Sequence, residues 1–166
     1  MTHGATGSPT LRSYPGVTEP MAPALMRASY DWAIGRIMEH LHAAGFPDVS
    51  ARHAPVVAFP GPHNTRPSEL AARTGRSKQH INILLRQLEA AGYLERRPDG
   101  DDQRAKIIHL TDRGMDLAAT IKTAVESVED EWRQLIGDGR LAALKQTLLD
   151  LQTPIPGSPR RRPREH

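Results

Sequence analysis

No cysteine occurs in the 166 residues of this chain. That absence excludes disulfides, thiolate redox sensing, and zinc or iron–sulfur centres held by cysteine. The histidines are scattered, with no His-x-x-x-His pair and no cluster of Asp and Glu, so no metal and no cofactor is expected. No apolar run approaches the roughly 18 residues of a membrane span. The N-terminal Met1-Thr2-His3-Gly4-Ala5 lacks the charged-then-apolar order of a signal peptide. The expectation is a cytoplasmic protein with no membrane partner. Also missing are a Gly-rich cofactor loop, a Gly-x-Ser-x-Gly turn and paired carboxylates in an apolar setting, so no enzyme is expected.

What the chain does have is uneven charge. The net charge is +3. Residues 65–114 carry 10 Lys and Arg against 7 Asp and Glu, residues 115–152 carry 4 against 7, and residues 153–166 carry 4 against 1. Positive charge therefore collects on a central segment and on the C-terminal tail. The acidic segment between them would be repelled by phosphate.

The apolar pattern divides the chain. Residues 1–20, rich in Gly, Pro, Ser and Thr, read as a disordered tail. From Met21 to Ala44 apolar residues recur at helical spacing, and Gly45 and Pro47 end the run. Asp48 or Ser50 is placed to cap a short second helix running to Phe59, with Pro55 tolerated only near its first turn. Pro67 suits the start of the next helix and Gly75 its end. Ser77 caps a helix whose inward set is Ile81, Leu84, Leu85 and Leu88, and Gly92 closes it. Leu94–Arg97 and Lys106–Leu110 read as strands joined by Pro98-Asp99-Gly100-Asp101. Thr111 then caps a long helix with an apolar stripe at Ala118, Ile121, Val125, Val128, Trp132 and Leu135. Gly137 and Gly139 break it. Leu141, Leu144, Leu148 and Leu151 mark a last helix, before a basic tail over residues 153–166. The fold class expected is mainly α with a small β-hairpin wing.

The helix beginning at Ser77 presents Lys78, Gln79, His80, Asn82, Ile83 and Arg86 away from its apolar set. Gln and Asn pair with adenine edges, and Arg and Lys with guanine. Ser77 and the free N–H groups of the first turn suit a phosphate. Taken alone, this helix is better read as an ordinary amphipathic helix with a solvated face. The preceding helix, the tight turn and the following hairpin, with Arg96, Arg97, Arg104 and Lys106, favour DNA. Asp102 stands two residues before Arg104, so a carboxylate could brace that guanidinium against a narrow minor groove. The plainer account of that pair is a surface ion pair worth about 0–1 kcal/mol.

Residues 65–114 resemble the winged helix-turn-helix of the MarR family of bacterial transcriptional regulators. The resemblance rests on Ser68-Glu69-Leu70-Ala71, Ser77, Leu88-Glu89, Gly92, Glu95-Arg96, Asp102-Gln103-Arg104-Ala105 and Leu110-Thr111-Asp112-Arg113-Gly114. It implies a homodimer, with residues 21–48 and 115–152 forming the dimerisation helices and residues 49–114 the DNA-binding domain. It implies double-stranded DNA as partner, read as a near-palindrome. Ser77, Lys78, Gln79, His80, Asn82, Ile83 and Arg86 would be the reading residues, and Arg97, Asp102, Arg104 and Lys106 the wing. Two positions depart from the family pattern: Ile83 stands where many members carry a polar or basic reader, and Arg86 where an acid is common. The operator sequence therefore does not transfer.

The family also implies small aromatic or anionic effectors. The candidate lining residues are Tyr30, Trp32, Met38, His42, Arg52 and His53, with Arg52 and His53 supplying a cation and a switchable proton. Against this, aromatic and methionine stripes at helical spacing are more often packing than pocket. The function expected is a homodimeric, ligand-responsive repressor. The alternative is a winged helix used for architecture or protein contacts, without effector control.

Overall fold

The computed structural model describes residues 19–58, 61–100 and 105–152. The disordered tails expected at residues 1–20 and 153–166 fall outside these ranges except for Glu19 and Pro20. The expected wing pair Asp102 and Arg104 falls outside them as well.

The architecture is mainly helical, with one antiparallel hairpin. Helix α1 covers Ala22–Ala43. It ends where the Phe46 N–H returns to the Leu41 carbonyl at 2.9 Å. A 3-10 turn, Ala51–His53, leads into the four-residue α2, Ala54–Val57. Pro55 sits in the first turn of α2, where its missing N–H costs nothing. The short second helix thus stops at Val57 rather than reaching Phe59, which lies outside the described residues. Ser50, rather than Asp48, is the N-cap of the 3-10 turn, and His53 is the N-cap of α2 itself.

Helices α3, Pro67–Thr74, and α4, Lys78–Ala90, form the helix-turn-helix. Gly75 makes the turn between them with φ of 64°, a left-handed conformation that a side chain resists. Ser77 caps α4 by accepting the His80 N–H at 3.2 Å. Strand β1, Leu94–Pro98, pairs with β2, Lys106–Leu110, in a register that sets Leu94 against Leu110 and Pro98 against Lys106. A third segment joins the hairpin. Ile108 donates its N–H to the Thr65 carbonyl at 3.1 Å and accepts the Asn64 N–H at 2.8 Å. Those bonds fasten the wing to the approach of α3.

Helix α5, Asp112–Ile136, is capped by Thr111, which accepts the Gly114 N–H at 3.1 Å. The same hydroxyl donates to the Gly92 carbonyl at 2.6 Å. Gly114 is held so close to the wing root that an added Cβ would lie 1.9 Å from the Tyr93 carbonyl oxygen. Helix α6, Asp138–Asp150, follows directly. Gly137 is the break, whereas Gly139 lies inside α6 rather than ending α5.

The core joins α1 to the winged unit through Leu41, Leu70, Ile81, Leu85, Leu88, Ile108 and Leu117. The buried positions of α5 are Gly114, Leu117, Ala124 and Val128. This differs from the stripe expected from sequence. Of that stripe only Val128 is buried, while Val125 and Leu135 are 39% and 81% exposed. The helix carries two apolar faces, one turned to its own core and one outward. The spacing of the sequence merged them.

Candidate nucleic-acid interface

Helix α4 is amphipathic for a simple reason. Its apolar residues recur at three- and four-residue steps, and four of them are buried: Ile81, Leu84, Leu85 and Leu88. Their burial contributes on the order of 10 kcal/mol before entropy is counted, and it fixes which way the remaining side chains point. Ser77, Lys78, Gln79, His80, Ile83 and Arg86 are all exposed. So are Arg97 and Lys106 on the hairpin. The structure thus brings these eight residues onto accessible surface of the helix-turn-helix and its wing. Among them Lys78, Arg86, Arg97 and Lys106 supply positive charge, and Glu95 pairs with Arg97.

Asn82 is placed differently. It is half-buried on the flank nearest the hairpin, and its Oδ1 accepts from Arg96 Nη1 at 3.2 Å. Arg96 is itself held by Glu89, with its Nη2 2.9 Å from Oε2. Asn82 is therefore tied to the wing rather than lying on the outermost stripe of the helix.

Two further contacts orient the wing. Arg66, the residue before α3, forms an ion pair with Asp99 at the turn of the hairpin; its Nη2 and Nε lie 2.6 and 2.7 Å from Asp99 Oδ2. Asp99 is only 8% exposed. On the other side of the unit, the Tyr93 hydroxyl donates to Asp48, and Arg113 reaches both, at 3.0 Å from the hydroxyl and 3.3 Å from the carboxylate. The Arg113 guanidinium also lies 4.7 Å from the Tyr93 ring centroid, a cation–π distance. Burial works against the Asp48 charge, but the Tyr93 hydroxyl, a backbone N–H and Arg113 outweigh it and hold the carboxyl below its ordinary range. Sequence reasoning missed these contacts. The partners lie 33 and 45 positions apart, and no local signal joins them.

The residues expected to line an effector pocket are not gathered in one place. Arg52 and His53 face a cleft of about 430 Å3, together with Asp48, Gln87, Leu88 and Tyr93. Trp32 instead stacks on Trp132. Met38 packs against the core, and the His42 Nε2–H donates to the Val49 carbonyl at 2.9 Å. Tyr30 is 53% exposed. His53 is buried and fully engaged: its Nδ1 accepts the Ser50 N–H, and its Nε2–H donates to Gln87 Oε1, both at 3.2 Å. This is the neutral tautomer. Burial above all holds its pKa below the ordinary histidine value, with Arg52 adding to the effect and Gln87 and Asp48 opposing it. No group of three or more metal-ligating side chains exists among the described residues. No described helix is long and apolar enough to cross a membrane.

A profile of the MarR family matches residues 48–105. The transcriptional repressor MprA of Escherichia coli K12 is 35% identical over 52 residues, which are 31% of this chain and 30% of that protein. The match thus spans less than a third of that relative. Among solved structures, CouR from Rhodococcus jostii RHA1, bound to p-coumaroyl-CoA, superposes with a TM-score of 0.63 at 23% identity, covering 80% of this chain and 92% of that one. The Staphylococcus aureus MepR–DNA complex gives 0.65 at 19% identity, covering 80% and 97%. Identities this low carry the fold alone, but the fold extends over the helices on both sides of the matched segment. With the helix-turn-helix, the hairpin and the flanking helices in that order, the chain has a winged helix-turn-helix fold, and its residues 48–105 match the MarR family.

Proposed function

We propose that the protein is a homodimeric, DNA-binding transcriptional repressor that recognises a near-palindromic site. One observation carries this reading. Helix α4 buries its inward apolar stripe and leaves a largely polar, basic face, beside a hairpin whose Arg97 and Lys106 are exposed. A helix of that kind fits a major groove, and the wing then reaches the adjoining backbone or minor groove. MarR-family proteins are transcription regulators rather than enzymes, and MepR is a relative in fold whose structure holds DNA.

The homodimer is supported by what the helices around the winged unit leave uncovered. Leu25, Tyr30 and Trp32 on α1, Leu135 on α5, and Leu144 and Leu149 on α6 are between 40% and 81% exposed in the single chain. A two-fold partner would cover such a surface and set the spacing of two reading helices.

Effector response is the finer part of the proposal. CouR is a relative in fold that binds an acyl-CoA ester. In this chain the cleft beside Arg52 and His53 opens next to the last turn of α4 and would take an anion. A ligand that fits one spacing of the two heads better than the other would shift the population between them.

The direct test is a gel shift on the DNA flanking the coding region. Saturable binding that weakens with salt is expected, because phosphate contacts release counterions. Binding to no fragment at any salt concentration would overturn the reading. A thermal-shift screen of aromatic acids and acyl-CoA esters tests effector control separately, since a specific ligand must raise stability.

A further inference from the structure

Each residue of α4 advances about 100° around the axis. The buried set, Ile81, Leu84, Leu85 and Leu88, defines the inward direction. Asn82 and Glu89 then fall on one flank, and both meet Arg96 of the wing. His80 and Gln87 fall on the other flank, and Gln87 meets His53 of the 3-10 turn. Lys78 falls on the flank of Asn82, and opposite the core the short Ala90 closes the helix behind one row of longer side chains, Gln79, Ile83 and Arg86. All three are exposed, Ile83 to 41%. Ile83 is the middle of that row.

An isoleucine in the centre of a groove-facing row has few partners to choose from. The major-groove edges of the four base pairs present donors, acceptors and one apolar group, the C5 methyl of thymine. The side chain best suited by type to grip adenine, Asn82, is turned toward Arg96. The helix therefore meets DNA with an apolar centre between two long polar arms.

Building on the DNA-binding reading above, we propose that Ile83 is a specificity residue that selects thymine through its C5 methyl once in each half-site, with Gln79 and Arg86 supplying polar contacts on either side. The contact is hydrophobic and short-ranged. It therefore distinguishes thymine from uracil, which differs only by that methyl and keeps every hydrogen-bonding group.

The test uses the full-length protein and a duplex enriched from a random pool. Each thymine is replaced by deoxyuridine in turn, and affinity is read by fluorescence anisotropy. One replacement per half-site should weaken wild-type binding roughly fourfold, the value of one apolar carbon withdrawn from contact. Ile83→Ala should bind the parent duplex more weakly and lose the penalty for deoxyuridine at that position. Ile83 is exposed, so an unchanged melting temperature is expected for this variant. A wild-type protein indifferent to every deoxyuridine overturns the assignment without recourse to any variant. So does an Ile83→Ala profile that keeps the wild-type penalty. If no duplex is enriched over the pool, the DNA-binding reading falls and this assignment with it. If a duplex is enriched but tolerates every replacement, only the methyl contact falls.

Discussion

The winged unit and the helices that flank it are built to different rules. Helix α4 buries four of its 13 residues, whereas α1 buries one of 22 and α6 one of 13. The winged unit closes its core within a single chain and holds its parts by directional contacts: Arg66 with Asp99, Arg96 with Glu89, and Thr111 with Gly92. The flanking helices leave leucines and aromatics uncovered and tie themselves together by pairs such as Arg36 with Glu131 and Lys145 with Glu129. One half is finished alone. The other leaves apolar surface that the proposed second copy would cover.

The sharpest way to break this contrast is at the seam. Gly114→Ala drives a Cβ onto the Tyr93 carbonyl, a backbone atom that cannot swing aside. The variant should lose roughly 3 kcal/mol in chemical denaturation. Wild-type stability would mean that the wing root and α5 are not closely fitted. Next in size is Asp99→Asn, which removes the charge from a buried partner of Arg66. A loss of about 2 kcal/mol is expected, together with weaker DNA binding, because the turn of the wing is no longer fixed. If stability fell while DNA affinity held, the pair would serve folding alone.

The flanking helices should respond in the opposite manner. Leu135→Glu and Leu149→Glu change residues that are 81% and 59% exposed in one chain, so the single fold should tolerate them. In a dimer they would bury charge, and the dissociation constant should rise at least about tenfold, read by sedimentation. Unchanged association would mean that the outward apolar face is not the interface. The smallest effect concerns His53. Its native pKa is depressed, so an unfolded chain takes up that proton first as acid is added. Its contribution to stability is complete above about pH 6.5 and declines as pH falls toward the native value. His53→Gln should flatten that part of the stability profile; an unaltered slope would show that this imidazole does not titrate on unfolding.

The same contrast decides what could be read from sequence. The helix-turn-helix was legible because its signals are local. Ser77 caps three residues ahead, Gly75 turns the chain where it stands, and the inward set of α4 repeats every three or four positions. Such signals survive without knowledge of the rest of the fold. The stripe on α5 was misaligned because residues belonging to two surfaces share one helical period, and only packing separates Leu117 and Ala124 from Val125. The exposed face of α4 was legible as a whole but not in its division. Asn82 and Ile83 are neighbours in the chain, and a distant arginine on the hairpin is what draws the first aside. The effector residues were chosen by type along two segments, and folding sent Trp32 and His53 to different places. Charge pairs 33 or more positions apart leave no trace in local spacing, which is why the braces of the wing emerged only in three dimensions.

The chain holds two tryptophans, and they lie against each other, Trp32 from α1 and Trp132 from α5, with ring centroids 6.0 Å apart and planes 24° from parallel. Both indoles therefore sit on the flanking helices and none on the winged unit. Selectively excited emission from this protein is an optical gauge of one half of the molecule. In the proposed dimer it would register a second subunit settling over those rings and stay dark to events at the wing, so changes in the flanking helices can be read apart from the rest without an added label.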